Sequence, residues 1–115
     1  MLESLVESFE KKQEANFGSA PKIPGVYALV HKGEIVYIGE SKNLADRVSH
    51  HLHRNGSRLL DKISLVESNT DKYLEECTMK FLGVDFGRLE LEEYLIEKYK
   101  PRFNNFFRRK SKKEN

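Results

Sequence analysis

The chain is 115 residues long, carries a formal net charge of +2, and is 38% hydrophobic and 33% charged. That length holds one domain with a core of its own, without need of disulfides or a structural metal. The single cysteine, Cys77, excludes an internal disulfide and fits a reducing compartment. No apolar run reaches the roughly 20 residues of a membrane span, and the acidic start MLESLVESFEKK lacks the pattern of a secretion signal. A cytoplasmic protein that stays out of membranes is therefore expected.

Periodicity predicts the elements in chain order. Leu2, Leu5, Val6 and Phe9 recur at helical spacing, so an amphipathic helix is expected from Leu2 to about Asn16, ending near Gly18. Residues 19–24 hold two prolines and read as a connector. Gly25–Lys32 and Glu34–Gly39 are rich in β-branched and aromatic residues, and Gly33 between them makes this a short β-hairpin. Ser41 is the expected cap of a helix that runs to about Arg54 and buries Leu44, Val48 and Leu52. Asn55-Gly56 ends it, and Ser57–Ser64 suits a short helix. Residues 69–75 have no decided pattern, whereas Cys77–Val84 reads as a third strand. Asp85-Phe86-Gly87 then turns into a helix from about Arg88 to Lys100, stopped by Pro101. The closing RRKSKKEN reads as a disordered basic tail. The simplest arrangement is an α+β fold, a three-stranded sheet with helices packed on it.

Charge is unevenly spread. Residues 1–99 carry 13 basic and 17 acidic side chains, whereas residues 100–115 carry 7 and 1. A second basic stretch, residues 41–66, sets Lys42, Arg47, Arg54, Arg58 and Lys62 against Asp46 and Asp61, and adds His50, His51 and His53. Basic zones on a near-neutral body point to a polyanion meeting one face. The plainer alternative is that charge runs are solvated faces.

Two features break the structural pattern. Glu92 falls between Leu89 and Ile96 on the face that also carries Tyr99, with Leu95 beside it. A carboxylate on an apolar face is paired, protonated or bound to a metal, unless it sits at the edge of the stripe. In the earlier helix, Arg47 and His51 lie one turn apart on the flank of the Leu44/Val48/Leu52 stripe, and Arg54 extends the row. Such a pair can bind a phosphate and move a proton, although either residue also serves as an ordinary surface group. Tyr27 and Tyr37, one on each hairpin strand, are ordinary strand residues by themselves.

Together these positions resemble the GIY-YIG nuclease family. Gly25-Val26-Tyr27 matches the first motif with Val for Ile, and Tyr37-Ile38-Gly39 matches the second in full. Ser41-Lys42-Asn43-Leu44 follows, with Arg47 at the family's helix arginine and His51 where members carry His or Tyr. Glu92, in LELEEYLI, matches the metal-binding glutamate, and Asn104, in KPRFN, the closing asparagine. The resemblance runs from about Ile23 to Asn104. One position departs: members often have a basic residue directly after the second motif, and here it is Glu40, with Lys42 two residues on as a stand-in.

The resemblance implies an antiparallel three-stranded sheet flanked by helices over residues 19–106, preceded by an extra N-terminal helix (1–18) and followed by the basic tail (107–115). It implies an endonuclease that hydrolyses phosphodiester bonds in DNA with one Mg²⁺ or Mn²⁺ held by Glu92. Arg47 is expected on the scissile phosphate, with Tyr27, Tyr37 and His51 positioning and deprotonating the water, the base among them undecided. Asn104 is expected to order the site. Lys42, Arg54, Arg58 and Lys62, with Arg108, Arg109 and Lys110 of the tail, are the expected nucleic-acid contacts. Substrate preference stays open, and a targeting partner is one way to supply it. The competing readings are a non-cleaving nucleic-acid-binding module of the same fold and a purely structural or protein-interaction domain.

Overall fold

The computed structural model describes residues 1–53 and 57–104, with His53 described by its backbone alone. The hairpin forms as expected: β1 (Gly25–His31) and β2 (Glu34–Ser41) are joined by Lys32 and Gly33, whose φ values of 50° and 85° give the left-handed pair of a tight turn. β3 (Cys77–Gly83) pairs antiparallel on the other side of β1, so the sheet order is β2-β1-β3.

One irregularity decides where the tyrosines point. The β1–β2 register passes from Val30↔Ile35 to Leu29↔Tyr37, leaving Val36 as an extra residue on β2. Without this bulge Tyr37 would lie opposite Ala28, whose side chain belongs to the other face. With it, Tyr37 lies opposite Leu29, and Gly39 opposite Tyr27. Both tyrosines therefore stand on one face of the sheet.

The two faces bury different cores. Val26, Ala28, Ile38 and Leu82 pack against α1 (Leu2–Lys11) through Val6 and Phe9, and against α5 (Arg88–Tyr99) through Leu91, Leu95 and Ile96. Tyr27, Leu29, Val36 and Met79 pack against α2 (Leu44–His53), α3 (Arg58–Val66) and α4 (Thr70–Glu75), with Phe103 between them. The N-terminal helix is tied to α5 by the Glu10 carboxylate, which accepts from Lys98 and Tyr99. No helix among the described residues is long and apolar enough to cross a membrane.

Local details differ from the expectations. The first helix stops at Lys11 because Ala15 pairs with the edge of β3: its N–H donates to the Met79 carbonyl at 2.7 Å and its carbonyl accepts at 2.8 Å. Ser41 ends β2 instead of capping α2; the cap is Asn43, whose Oδ1 accepts from the Asp46 N–H at 3.2 Å. Thr70–Glu75, within the stretch left undecided by the sequence, form α4, capped by Asn69. In α5 the buried stripe is Leu91, Leu95 and Ile96, while Leu89 is 61% exposed. Leu89 sits about half a helical turn from Leu91, so it faces outward where Leu91 faces the sheet. Glu92 is half-buried between these apolar residues, at the margin of the stripe.

Candidate active site

The site forms where α2 and α3 on one side, and α5 on the other, meet the edge strand β2. Tyr27 is fully buried, and Gly39 opposite it makes room for its ring: a Cβ there would lie 2.5 Å from Tyr27 Cζ and Oη. The glycine of the second motif thus exists for the tyrosine of the first. The Tyr27 hydroxyl lies 2.8 Å from His51 Nε2, and His51 Nδ1 lies 3.3 Å from Ser57 Oγ. Ring centroids of Tyr27, Tyr37 and His51 are 5.9–6.1 Å apart, so the three rings form one cluster. Ser57, which the sequence marked only as the start of a short helix, caps α3 by accepting from the Leu60 N–H and also touches the histidine.

Electrostatics connect the charged residues to this cluster. Burial raises the pKa of Tyr27 well above its ordinary value, with neighbouring Tyr37 adding to the rise and Arg47 opposing it. Burial also raises Tyr37, followed by the charge of Glu92, while its hydrogen bond with Tyr27 and the charges of Arg47 and Arg58 pull it down. The positive charge expected from Arg47 is present, but desolvation outweighs it. His51 is pushed down to about 4 by burial, then by Arg47, His50 and Lys62, so its ring is neutral at physiological pH.

That shift makes stability depend on pH. The unfolded chain protonates His51 near pH 6.5 and the folded chain only near 4. Folding stability is therefore lost as pH falls through that window, by about 3 kcal/mol in total. His51→Gln is expected to flatten this part of the profile, as urea unfolding at pH 7 and pH 4.5 will show. An equal slope in both proteins would assign the acid sensitivity elsewhere.

Asn104 is placed by backbone contacts. Its Oδ1 accepts from the Ile38 N–H at 2.7 Å and its Nδ2 donates to the Ile38 carbonyl at 2.8 Å. The amide does for Ile38 what a fourth strand would do, and so holds β2 beside Tyr37. Asn104→Ala is expected to lower stability by about 1–3 kcal/mol by stripping partners from buried backbone groups. Asn104→Asp, which cannot donate to the Ile38 carbonyl, should be no better; a melting temperature at wild-type level for both would show that β2 holds its place unaided.

Lys62, expected from the sequence to contact nucleic acid, is 6% exposed and turned inward. Its ammonium donates to the Phe103 carbonyl at 2.8 Å and sits 5.7 Å from the Tyr37 ring centroid. Burial first, and Arg58 second, push its pKa down to about 8. It anchors the segment that carries Asn104. Lys42 and Arg47 are exposed and line one cleft; Arg58 is exposed near Tyr37. Arg54, Arg108, Arg109 and Lys110, with the tail, lie outside the described residues.

Among the described residues no three His, Cys, Asp or Glu side chains converge as a metal cluster. A structural zinc site, with its full set of protein ligands, does not fit. A single half-buried carboxylate whose charge reaches the tyrosines does fit a hard divalent cation that keeps water and phosphate oxygens as its other ligands. Glu92 is that carboxylate.

On this fold, such an arrangement defines a class, the GIY-YIG endonuclease domain, a phosphodiester hydrolase. Comparison with known proteins agrees. A family model described as the UvrC-like GIY-YIG domain matches residues 23–105. The chain is 40% identical over 100 residues to the UvrABC system protein C of Mycoplasmoides gallisepticum, covering 84% of this chain and 15% of that protein. It is 36% identical over 93 residues to the same protein of Aquifex aeolicus, covering 81% and 15%. In structure it is similar to the N-terminal GIY-YIG endonuclease domain of UvrC from Thermotoga maritima, solved with its catalytic magnesium. The TM-score is 0.57 and the identity 28%, over 76% of this chain and 89% of that one. The chain belongs to the UvrC-like GIY-YIG family. It spans about one-seventh of the length of the full-length relatives it matches.

Proposed function

We propose that the protein is a metal-dependent endonuclease that hydrolyses phosphodiester bonds in DNA, with Tyr37 taking the proton from the attacking water as its phenolate, its own phenolic proton having first been released to solvent. The carrying observation is the hydrogen-bonded row Ser57–His51–Tyr27 leading to Tyr37. Ser57 Oγ accepts the Leu60 N–H, so its hydroxyl proton is free to point at His51 Nδ1. His51 then carries its proton on Nε2 and donates to Tyr27, and Tyr27 donates to Tyr37. Tyr37 is also less buried than Tyr27 and His51, so it is the member of the row that meets water.

Arg47, exposed beside the row, offers its planar fork to two phosphate oxygens and stabilises the charge that builds on them. Glu92 holds one Mg²⁺ or Mn²⁺, which when bound supplies Lewis-acid stabilisation of the phosphate and favours the deprotonated forms nearby. Asn104 and Lys62 position the strand and segment around Tyr37. Lys42 and Arg58, together with Arg54, Arg108, Arg109 and Lys110, supply phosphate contacts along the DNA. Choice of substrate comes from a targeting partner or a further domain.

The test is nicking of a labelled panel of duplex, nicked, branched and single-stranded DNA with Mg²⁺, Mn²⁺ or chelator. Metal-dependent product from the wild-type chain supports the proposal. Salt-dependent binding without product would instead mark a non-cleaving module of the same fold.

A further inference from the structure

A cleft of about 850 Å³ opens beside the site, between the end of β2, the start of α2 and the start of α5. Its wall holds three permanent cations, Lys42, Arg47 and Arg88, against two carboxylates, Glu40 and Asp46. Without Arg88 those charges balance, and the cleft has no net attraction for a polyanion. Arg88 begins α5 one turn before Glu92, so the two share a side of the helix. Its Nε donates to Glu40 Oε1 at 3.1 Å and its Nη1 to the Asp85 carbonyl at 3.1 Å. Nη2 donates to none of the described residues. Both members of the ion pair are only partly accessible, at 20% and 26%. The guanidinium is therefore held in one orientation before any ligand arrives, which lowers the entropy lost on binding.

We propose that Arg88, oriented by Glu40, grips a backbone phosphate of the DNA strand running through this cleft away from the reacting phosphate. This rests on the nuclease reading above. The rival role for Arg88 is neutralisation of Glu40 alone. The two roles differ in one variant: Arg88→Ala combined with Glu40→Gln keeps the pair's net charge at zero but removes the fork. Binding of a short fluorescein-labelled duplex is measured against salt in a Glu92→Gln background, where no cleavage intervenes. Loss of one phosphate contact is expected to make the slope of log K against log salt shallower by about 0.9. An unchanged slope in the double variant would overturn the proposal and leave Arg88 as a neutralising partner. Arg88→Gln alone is the second variant, with the same drop expected and the same unchanged slope against it. Circular dichroism of each variant checks the fold. Because binding is read without metal or turnover, failure here is distinct from failure of the wild-type chain to nick DNA.

Discussion

Glu92→Gln is expected to lower the single-turnover nicking rate in Mg²⁺ by at least about a thousand-fold, or about 4 kcal/mol of transition-state stabilisation. The amide keeps the size of the side chain but loses the charge that holds a hard cation. Two opposing effects make the result informative. The charge of Glu92 raises the pKa of Tyr37, so its removal eases deprotonation of the proposed base. A large rate loss in spite of that gain isolates the metal-holding role. The fold should be spared, since a half-buried charge at the margin of the stripe contributes little. The melting temperature is expected within a few degrees of wild type. Undiminished nicking by the variant would remove Glu92 from the site.

Gly25→Ala is expected to be the most damaging single methyl in the domain. A Cβ at Gly25 would lie 2.2 Å from the Leu82 carbonyl oxygen and 2.8 Å from Leu44 Cδ1. The first obstacle is backbone, and it belongs to the strand paired with β1, so relief means opening the β1–β3 ladder. Such overpacking costs about 3 kcal/mol or more, equivalent to a fall in melting temperature of roughly 12–20 °C for a domain of this size. Gly18→Ala is the control, because its Cβ would meet only Asn16 Oδ1 at 3.6 Å. Calorimetry on the two variants separates a need for glycine from a general sensitivity of the chain. A Gly25→Ala protein melting within about 3 °C of wild type would contradict the close packing.

Much of the fold was legible because its signals are local. Alternating apolar residues, Gly33 in the turn and Pro101 after the last helix each act within a few positions. The site was legible as a set of residues through the family pattern, yet its geometry was not. Nothing local in EIVYIG marks Val36 as a bulge; the extra residue emerges only when β2 is laid against β1, and it alone puts Tyr37 on the face of Tyr27. The burial of Lys62 was hidden for a similar reason. On its own segment it reads as a nucleic-acid contact, and it is buried under the carbonyl of Phe103, 41 residues along the chain. Glu92 was singled out for its place among apolar residues, although the stripe it borders is Leu91, Leu95 and Ile96 and excludes Leu89.

The two outer strands share a property that bears on handling the protein. A three-stranded sheet has two rims where unpaired backbone can recruit another chain. Here the β3 rim is met by Ala15 at Met79, and the β2 rim by the Asn104 amide at Ile38. Each plug comes from a segment outside the sheet and lies near one end of the described chain. A piece cut short of both Ala15 and Asn104 would therefore unmask both rims at once, and would be more prone to stack into fibres than the longer chain.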